Sequence, residues 1–451
     1  MKKIRIGAGA GYAGDRIEPA IEIMEKGNLD YIIFECLAER TIAIGQLQKL
    51  SNPEKGYNEL LEYRMKKVLP VCEEKKVKVI TNMGSANPLA AAKVVKRLAL
   101  EMGIKGLKIA AVIGDDIFNN IENYMQNEIL ETGKKLETIK SKVISANAYI
   151  GAAGIMEALK NKADIIITGR VADPSLTVAP LMFEFGWEKD NFEVLGKGTL
   201  AGHLLECAGQ VTGGYFADPG YKDVPDLWNL GFPIAEISED GEIVITKLEE
   251  AGGMVTEATC KEQMIYEIHD PSEYYTPDVI ADFSGVTIEE IDKNKVFLKG
   301  ASGKAKTGLF KVSVGYKDCY IGEGEISYGG SGAYERAKLA GEIIEKRLKY
   351  INAPVEELRV DLIGVNALYK NSVSNSISEN RINFTEVRLR VAGRTLNRED
   401  AKIIGNEVEA LYTNGPAGGG GVAKNIKEIV SIASIFVPEN DINIEVVYEE
   451  V

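Results

Sequence analysis

IRIGAGAGYAGDRIEPAIEIMEKGNLDYIIF, residues 4–34, decides the fold class. A short β-branched run at Ile4–Ile6 enters a glycine turn. Ile17, Ala20, Ile21 and Met24 then recur at helical spacing on one apolar face. Asp15 and Glu18 stand at capping-box spacing before that face, Gly27 stops it, and Tyr31–Phe34 is apolar again. Strand, helix, strand in so few residues requires a parallel pair joined by a right-handed crossover.

The same alternation continues through Val77–Thr81, Lys108–Ile113, Val143–Ser145 and Asp164–Thr168. Residues 1–235 therefore read as an open, mostly parallel, Rossmann-like α/β domain. After Gly231 the texture changes. Ile243–Ile245, Val296–Lys299, Leu309–Tyr316 and Tyr320–Ser327 follow one another without intervening helices. A helix at Gly332–Tyr350, strands at Glu357–Val365 and Glu386–Val391, and a helix at Arg398–Leu411 complete an α+β domain over 236–451.

With 451 residues the chain is long enough for two cores. A net charge of −14 argues against binding nucleic acid or an anionic membrane surface. No apolar run reaches the ~18 residues of a membrane span, and the N-terminal residues read as a first strand, not a signal peptide. Five scattered cysteines without a CxxC pair fit free thiols in a reducing cytoplasm.

Ligands of open α/β sheets bind beyond the carboxyl ends of the strands. Polar residues collect there: Glu35, Glu39 and Arg40 after the second strand, Asn82 after the third, and Asp115 after the fourth. Asn147 follows the fifth, and Arg170 and Asp173 the sixth. One polar strand end is ordinary; several on one rim define a candidate site. Gly9, Gly11 and Gly14 spell GxGxxG between a strand and a helix, with Glu35 about twenty residues on, which is the dinucleotide arrangement. Asp15 opposes that reading, because its carboxylate at the helix start caps amides and repels phosphate. NAD(P) binding and a structural turn both stay open.

The densest stretch is Gly202–Asp218. His203, Glu206 and Cys207 share a helical face, so imidazole, carboxylate and thiol can converge. That suits proton transfer or an activated thiol. Two histidines in the whole chain and no cysteine cluster leave no expectation of a metal site. Gly213 and Gly214 offer backbone amides. His269 opens a proline-punctuated segment able to fold over a substrate. Asn414, Gly418 and Gly419 sit in a glycine loop, read as lying between two helices, whose amides suit an oxyanion, carboxylate or phosphate. It lacks the GK(S/T) ending of a nucleotide P-loop.

Taken together, GAGAGYAGDRIEPA, FECLAERT, TNMGSANP, TGRVADPSL, GHLLECAGQVTGGYFADP and HDPSEYYTPDVIADFS resemble the acyclic terpene utilisation protein family of AtuA type. The likeness runs from residue 5 to at least 335 and takes in the glycine loop near 418. The resemblance implies catabolism through acyl-CoA intermediates, as in citronellol and geraniol breakdown. Longer relatives carry a further C-terminal ferredoxin-like domain that also occurs as a separate small protein. The resemblance therefore implies a small ferredoxin-like-fold partner subunit here, and the size of the chain suggests a homo-oligomer. The expected function is acid/base chemistry on a small carboxylic acid or acyl-CoA, of hydratase, lyase or isomerase type. Arg40 and Arg170 are the expected carboxylate holders, His203 with Glu206 the proton movers. The alternatives are a complex-forming, non-enzymatic subunit and an NAD(P)-dependent oxidoreductase.

Overall fold

A computed structural model describes residues 2–370 and 384–451. The chain forms two compact units, Met1–Gly315 with Ile432–Val451, and Tyr316–Ser431. The first opens with β1 (Lys3–Ala10), α1 (Glu18–Lys26), β2 (Tyr31–Phe34), α2 (Glu39–Ser51), α3 (Leu61–Lys75), β3 (Lys78–Thr81) and α4 (Pro88–Glu101). Next come β4 (Lys108–Ile113), β5 (Val143–Ala148), α5 (Ala153–Lys160), β6 (Ile165–Thr168), α6 (Ser175–Phe185) and α7 (Phe192–Glu206). They are followed by β7 (Ile234–Ser238), β8 (Ile243–Thr246), α8 (Glu257–Ile265), β9 (Tyr274–Tyr275), β10 (Ile280–Asp282), β11 (Thr287–Asp292), β12 (Lys295–Lys299) and β13 (Ser302–Lys304). The long β14 (Leu309–Gly329) leads into the second unit, through α9 (Ala333–Tyr350), β15 (Glu357–Ile363), β16 (Glu386–Thr395) and α10 (Arg398–Asn414). The equally long β17 (Gly419–Pro438) leads back, and β18 (Glu445–Glu450) follows.

The first unit is built on a ten-stranded sheet ordered β11-β12-β8-β7-β1-β2-β3-β6-β4-β18. Its centre, β1-β2-β3-β6-β4, is parallel. These strands are buried on both faces: every residue of Tyr31–Phe34 and of Ile165–Thr168 is inaccessible. That explains their continuous β-branched and aromatic composition. Helices pack on one another in two runs, α1 with α3 and α4, and α5 with α6 and α7.

Several expectations are corrected. The sheet is mixed, not mostly parallel, because β7, β8, β12 and β11 add antiparallel on one edge and β18 on the other. The change of texture after Gly231 therefore marks a change of strand direction within one sheet, while the compact units divide at Gly315 and Ser431. β5 is outside this sheet and pairs with β14. The capping box at α1 is also absent. Ile17 is the N-cap with no side-chain bond, while Asp15 accepts the amides of Gly11 at 3.0 Å and Arg16 at 2.9 Å. Gly27 does end the helix, its N–H donating to Ile23. A helix at α8, where only strands are expected, carries a Thr256 cap.

Among the described residues of the second unit the order is strand, helix, strand, strand, helix, strand, with the sheet running β15-β16-β14-β17. Numbered within the unit, that is 2-3-1-4, the βαββαβ ferredoxin-like arrangement. Its core lies between the sheet and both helices, centred on Ile326, Ile344, Leu389 and Val408. Among the described residues no helix is long and apolar enough to cross a membrane.

One glycine of α7 sets the position of the site. A Cβ at Gly202 would fall 2.7 Å from both Cα and O of Pro174, so only glycine lets the helix press against the start of α6. We expect Gly202→Val to destabilise the protein by about 1–3 kcal/mol through forced separation. Thermal unfolding checks this; an unchanged melting temperature would show that the contact tolerates expansion.

Candidate functional site at the carboxyl ends of the strands

The carboxyl ends of β1, β2 and β6 open into a cavity of about 440 Å³. Glu35, Glu39, Asp173, Glu206 and Glu267 supply its carboxylates, and Arg170 its cation. Tyr149, Gln210, Tyr266 and Cys207 complete much of the wall.

Arg170 is 1% exposed. Its guanidinium donates to the carbonyls of Leu37 and Val171 and to Asp173. The Tyr149 ring covers it at 4.5 Å. Its backbone N–H donates to buried Asp115 at 2.9 Å, which also takes the Asn147 amide at 3.0 Å. The fork is thus largely satisfied by the chain itself, which corrects the expectation of a free bidentate carboxylate clamp. Burial pushes the Asp115 carboxyl up to about 6, against the pull of these two donors.

Glu35 is held by the Leu37 amide and the Asn82 side chain, each at 2.9 Å. Asn82 therefore orients an acid. Burial and the charge of Asp173 push Glu35 up to about 8, with Arg170 opposing. Asp173 is pushed up to about 6, chiefly by burial, with Arg170 opposing and Glu206 adding to the rise. Glu39 goes the other way. Burial would raise it, but the Tyr149 hydroxyl at 2.6 Å and the Lys311 ammonium at 3.3 Å outweigh that and lower it. The result is a cavity with acids on both sides of neutrality.

His203 is buried at 1% and donates from or accepts at Nδ1 with Glu206 at 2.7 Å. Burial opposes its charge, yet the Glu206 carboxylate and nearby backbone groups raise it overall. Its ring packs on Tyr274 at 5.4 Å, and neither His203 Nε2 nor Glu206 Oε2 has a hydrogen-bond partner among the described residues. The carboxylate lines the cavity and the imidazole stands behind it. Burial, then Glu206, push the Cys207 thiol up, so Cys207 lines the wall as a protonated thiol and not as a poised nucleophile.

Other expected residues are placed differently. Arg40 is exposed and lines none of the cavities described here, although Glu39 beside it does. Gly213, with φ +107°, and Gly214 spend their amides on Gln210 and Gly209 within their own turn. His269 is exposed, but the segment it opens supplies Tyr274, Tyr275, Thr276 and Pro277 to an adjoining cavity of about 580 Å³. Asp278 pins that segment by accepting the Ala152 amide at 2.9 Å and the Ser175 hydroxyl at 2.6 Å. Asn414, Gly418 and Gly419 belong to the second unit. There the loop joins helix to strand, not helix to helix, and Arg336 donates to Ala417 at 2.7 Å. Asn414 donates to Ala410 at 3.1 Å.

The glycine motif leaves little for a pyrophosphate. Gly9 lies inside β1 under the Phe34 ring, Gly11 sits against the backbone of Cys207, and its amide is taken by Asp15. Gly14 is exposed and borders a separate cavity. Among the described residues no cluster of three or more His, Cys, Asp or Glu has metal-holding geometry. Tyr149, Lys311 and Tyr274 were not singled out by sequence. Tyr149 stands two residues beyond Asn147 on the same strand end, a signal that was available.

Fold and cavity together define an α/β protein with a carboxylate-lined chamber at its strand ends. The chain belongs to the acyclic terpene utilisation family, AtuA, whose model matches residues 4–448. The ferredoxin-like second unit lies inside that span. No curated protein matches the chain, and no solved structure does.

Glu35 gives a stability test. Its ordinary pKa is 4.5 and burial lifts it to about 8 in the folded protein. Between those values the unfolded chain has released the proton and the native state still binds it, so stability falls as pH rises across that window. Glu35→Gln should remove this decline and gain on the wild type from pH 5 to pH 8. Denaturant unfolding at several pH values measures it; parallel curves would show that Glu35 ionises normally.

Proposed function

We propose that this protein is a catabolic enzyme performing acid/base chemistry on an acyl compound, of hydratase, lyase or isomerase type. The supporting observation is the split of the cavity carboxyls: Glu35 is held protonated near neutrality while Glu39 is held ionised beside it. We read the parallel block β1-β2-β3-β6-β4 as a Rossmann-like core whose carboxyl rim carries this chemistry.

Glu206 is the base in this reading. His203 fixes Glu206 through Oε1, and the carboxylate takes a proton from the carbon next to the substrate carbonyl. The electron pair passes into the enolate, whose charge is offset by the buried Arg170 guanidinium. Glu35 then gives its proton to a leaving hydroxyl, and the pair returns to form the carbon–carbon double bond with release of water. Addition of water is the same path reversed. The carboxylates besides Glu35 disfavour a free acid in the chamber, so a thioester or another neutral acyl group is the better substrate than a carboxylate.

The test is deuterium exchange. The protein is incubated in deuterium oxide with short and medium acyl-CoA thioesters, and label at the α carbon is read by mass spectrometry. Wild type should introduce label, and Glu206→Gln should slow it by about a hundredfold or more, in line with loss of a general base. Glu35→Gln should keep α-exchange while losing net loss or addition of water. Absence of label across the whole series would end this reading.

A further inference from the structure

The acidic chamber is not isolated. On one side, a cavity of about 370 Å³ shares Ala13, Leu37 and Thr41 with it. On the other, the cavity of about 580 Å³ shares Glu39, Tyr149 and Asp173. The segment Leu37–Thr41, leading from β2 into α2, borders all three. The two flanking cavities differ in character from the middle one. The smaller is walled by Leu37, Ile44, Tyr57 and Leu60; among its polar side chains Gln48 donates to Glu59 at 2.9 Å, Thr41 to Ala38 at 2.8 Å and Asn58 to Ala13 at 3.4 Å. The larger is walled mostly by Pro174, Tyr274, Pro277, Leu309, Phe310 and Phe436; its charged residues are Glu39 and Asp173, shared with the middle chamber, and Lys311, which donates to Glu39 at 3.3 Å. Both flanking walls are more apolar than the middle one, with charge confined to Glu59 on one side and to Glu39, Lys311 and Asp173 on the other.

We propose that the site takes a substrate segment that is uncharged and extended across all three cavities, so that the carbonyl it acts on is internal, with chain on both sides. This rests on the acid/base reading for the role of the middle chamber and adds the position of the reacting group. A ligand with its carbonyl at one end leaves one apolar cavity unfilled, and each methylene so excluded costs roughly fourfold in affinity. An ionised end group would instead meet the carboxylates of the middle chamber.

The test separates chain position from hydrophobicity by using two isomers. Binding of dibutyl ketone and of heptyl methyl ketone to the full-length protein is measured by titration calorimetry. Dibutyl ketone should bind several-fold more tightly. Ile44→Trp and Leu309→Trp each fill one flanking cavity from positions 41% and 42% exposed, where folding tolerates the change. Each should weaken dibutyl ketone about tenfold and abolish the preference; folding of both variants is verified by circular dichroism. Equal affinity of the isomers, an effect from one variant alone, or no binding of either ketone overturns the proposal. Deuterium exchange is independent of these outcomes: label without isomer preference removes the three-chamber site only, and preference without label removes the acid/base reading only.

Discussion

A guanidinium removed from water has to be surrounded by acceptors, and Arg170 imposes that requirement on the whole strand-end rim. It draws in the Leu37 carbonyl from the β2–α2 link, Val171 and Asp173 from its own turn, and the face of Tyr149 after β5. These groups come from elements that the sheet alone would not bring to one point. Losing the cation would leave Asp173 and Glu35 as neighbouring half-buried acids without a counter-charge, so cavity shape and cavity electrostatics depend on the same side chain.

The carboxyls around it are differentiated by small differences in environment. Glu39 receives a tyrosine hydroxyl and a lysine, whereas Glu35 receives one amide, one side-chain amide and the repulsion of Asp173. Both follow the same strand and are four residues apart. One is driven toward the ionised form and the other toward the protonated form, which is what proton exchange with a substrate needs.

Much of this was legible in sequence, for identifiable reasons. The β1-α1-β2 unit shows in the period of its apolar residues, and the rim shows because parallel strands all end on the same side. Antiparallel addition of β7 and β8 to β1 does not show, since a strand carries the same residues whichever way it runs. His203 and Glu206 were found together because three residues of helix place them on one face. Which of them meets the cavity depends on how α7 is rotated against Pro174, and that is a tertiary matter. Arg40 and Glu39 are adjacent on α2, so one turns outward when the other turns in. Gly213 is glycine for its φ of +107°, not for its amide, and composition alone does not distinguish the two.

The second unit runs from within β14 to within β17, so the first unit is discontinuous in the chain. Its sheet edge at β4 is covered by β18, with Ile113 opposite Glu445. During synthesis from the N-terminus, β4 therefore leaves the ribosome long before its partner, and every residue of the inserted unit emerges in between. Over that interval β4 presents an apolar, hydrogen-bond-hungry edge to the cellular milieu. Pairing of β4 with β18 thus carries the closure entropy of a loop that spans the insertion. An early-folding inserted unit shortens that wait by bringing the two ends of the gap together.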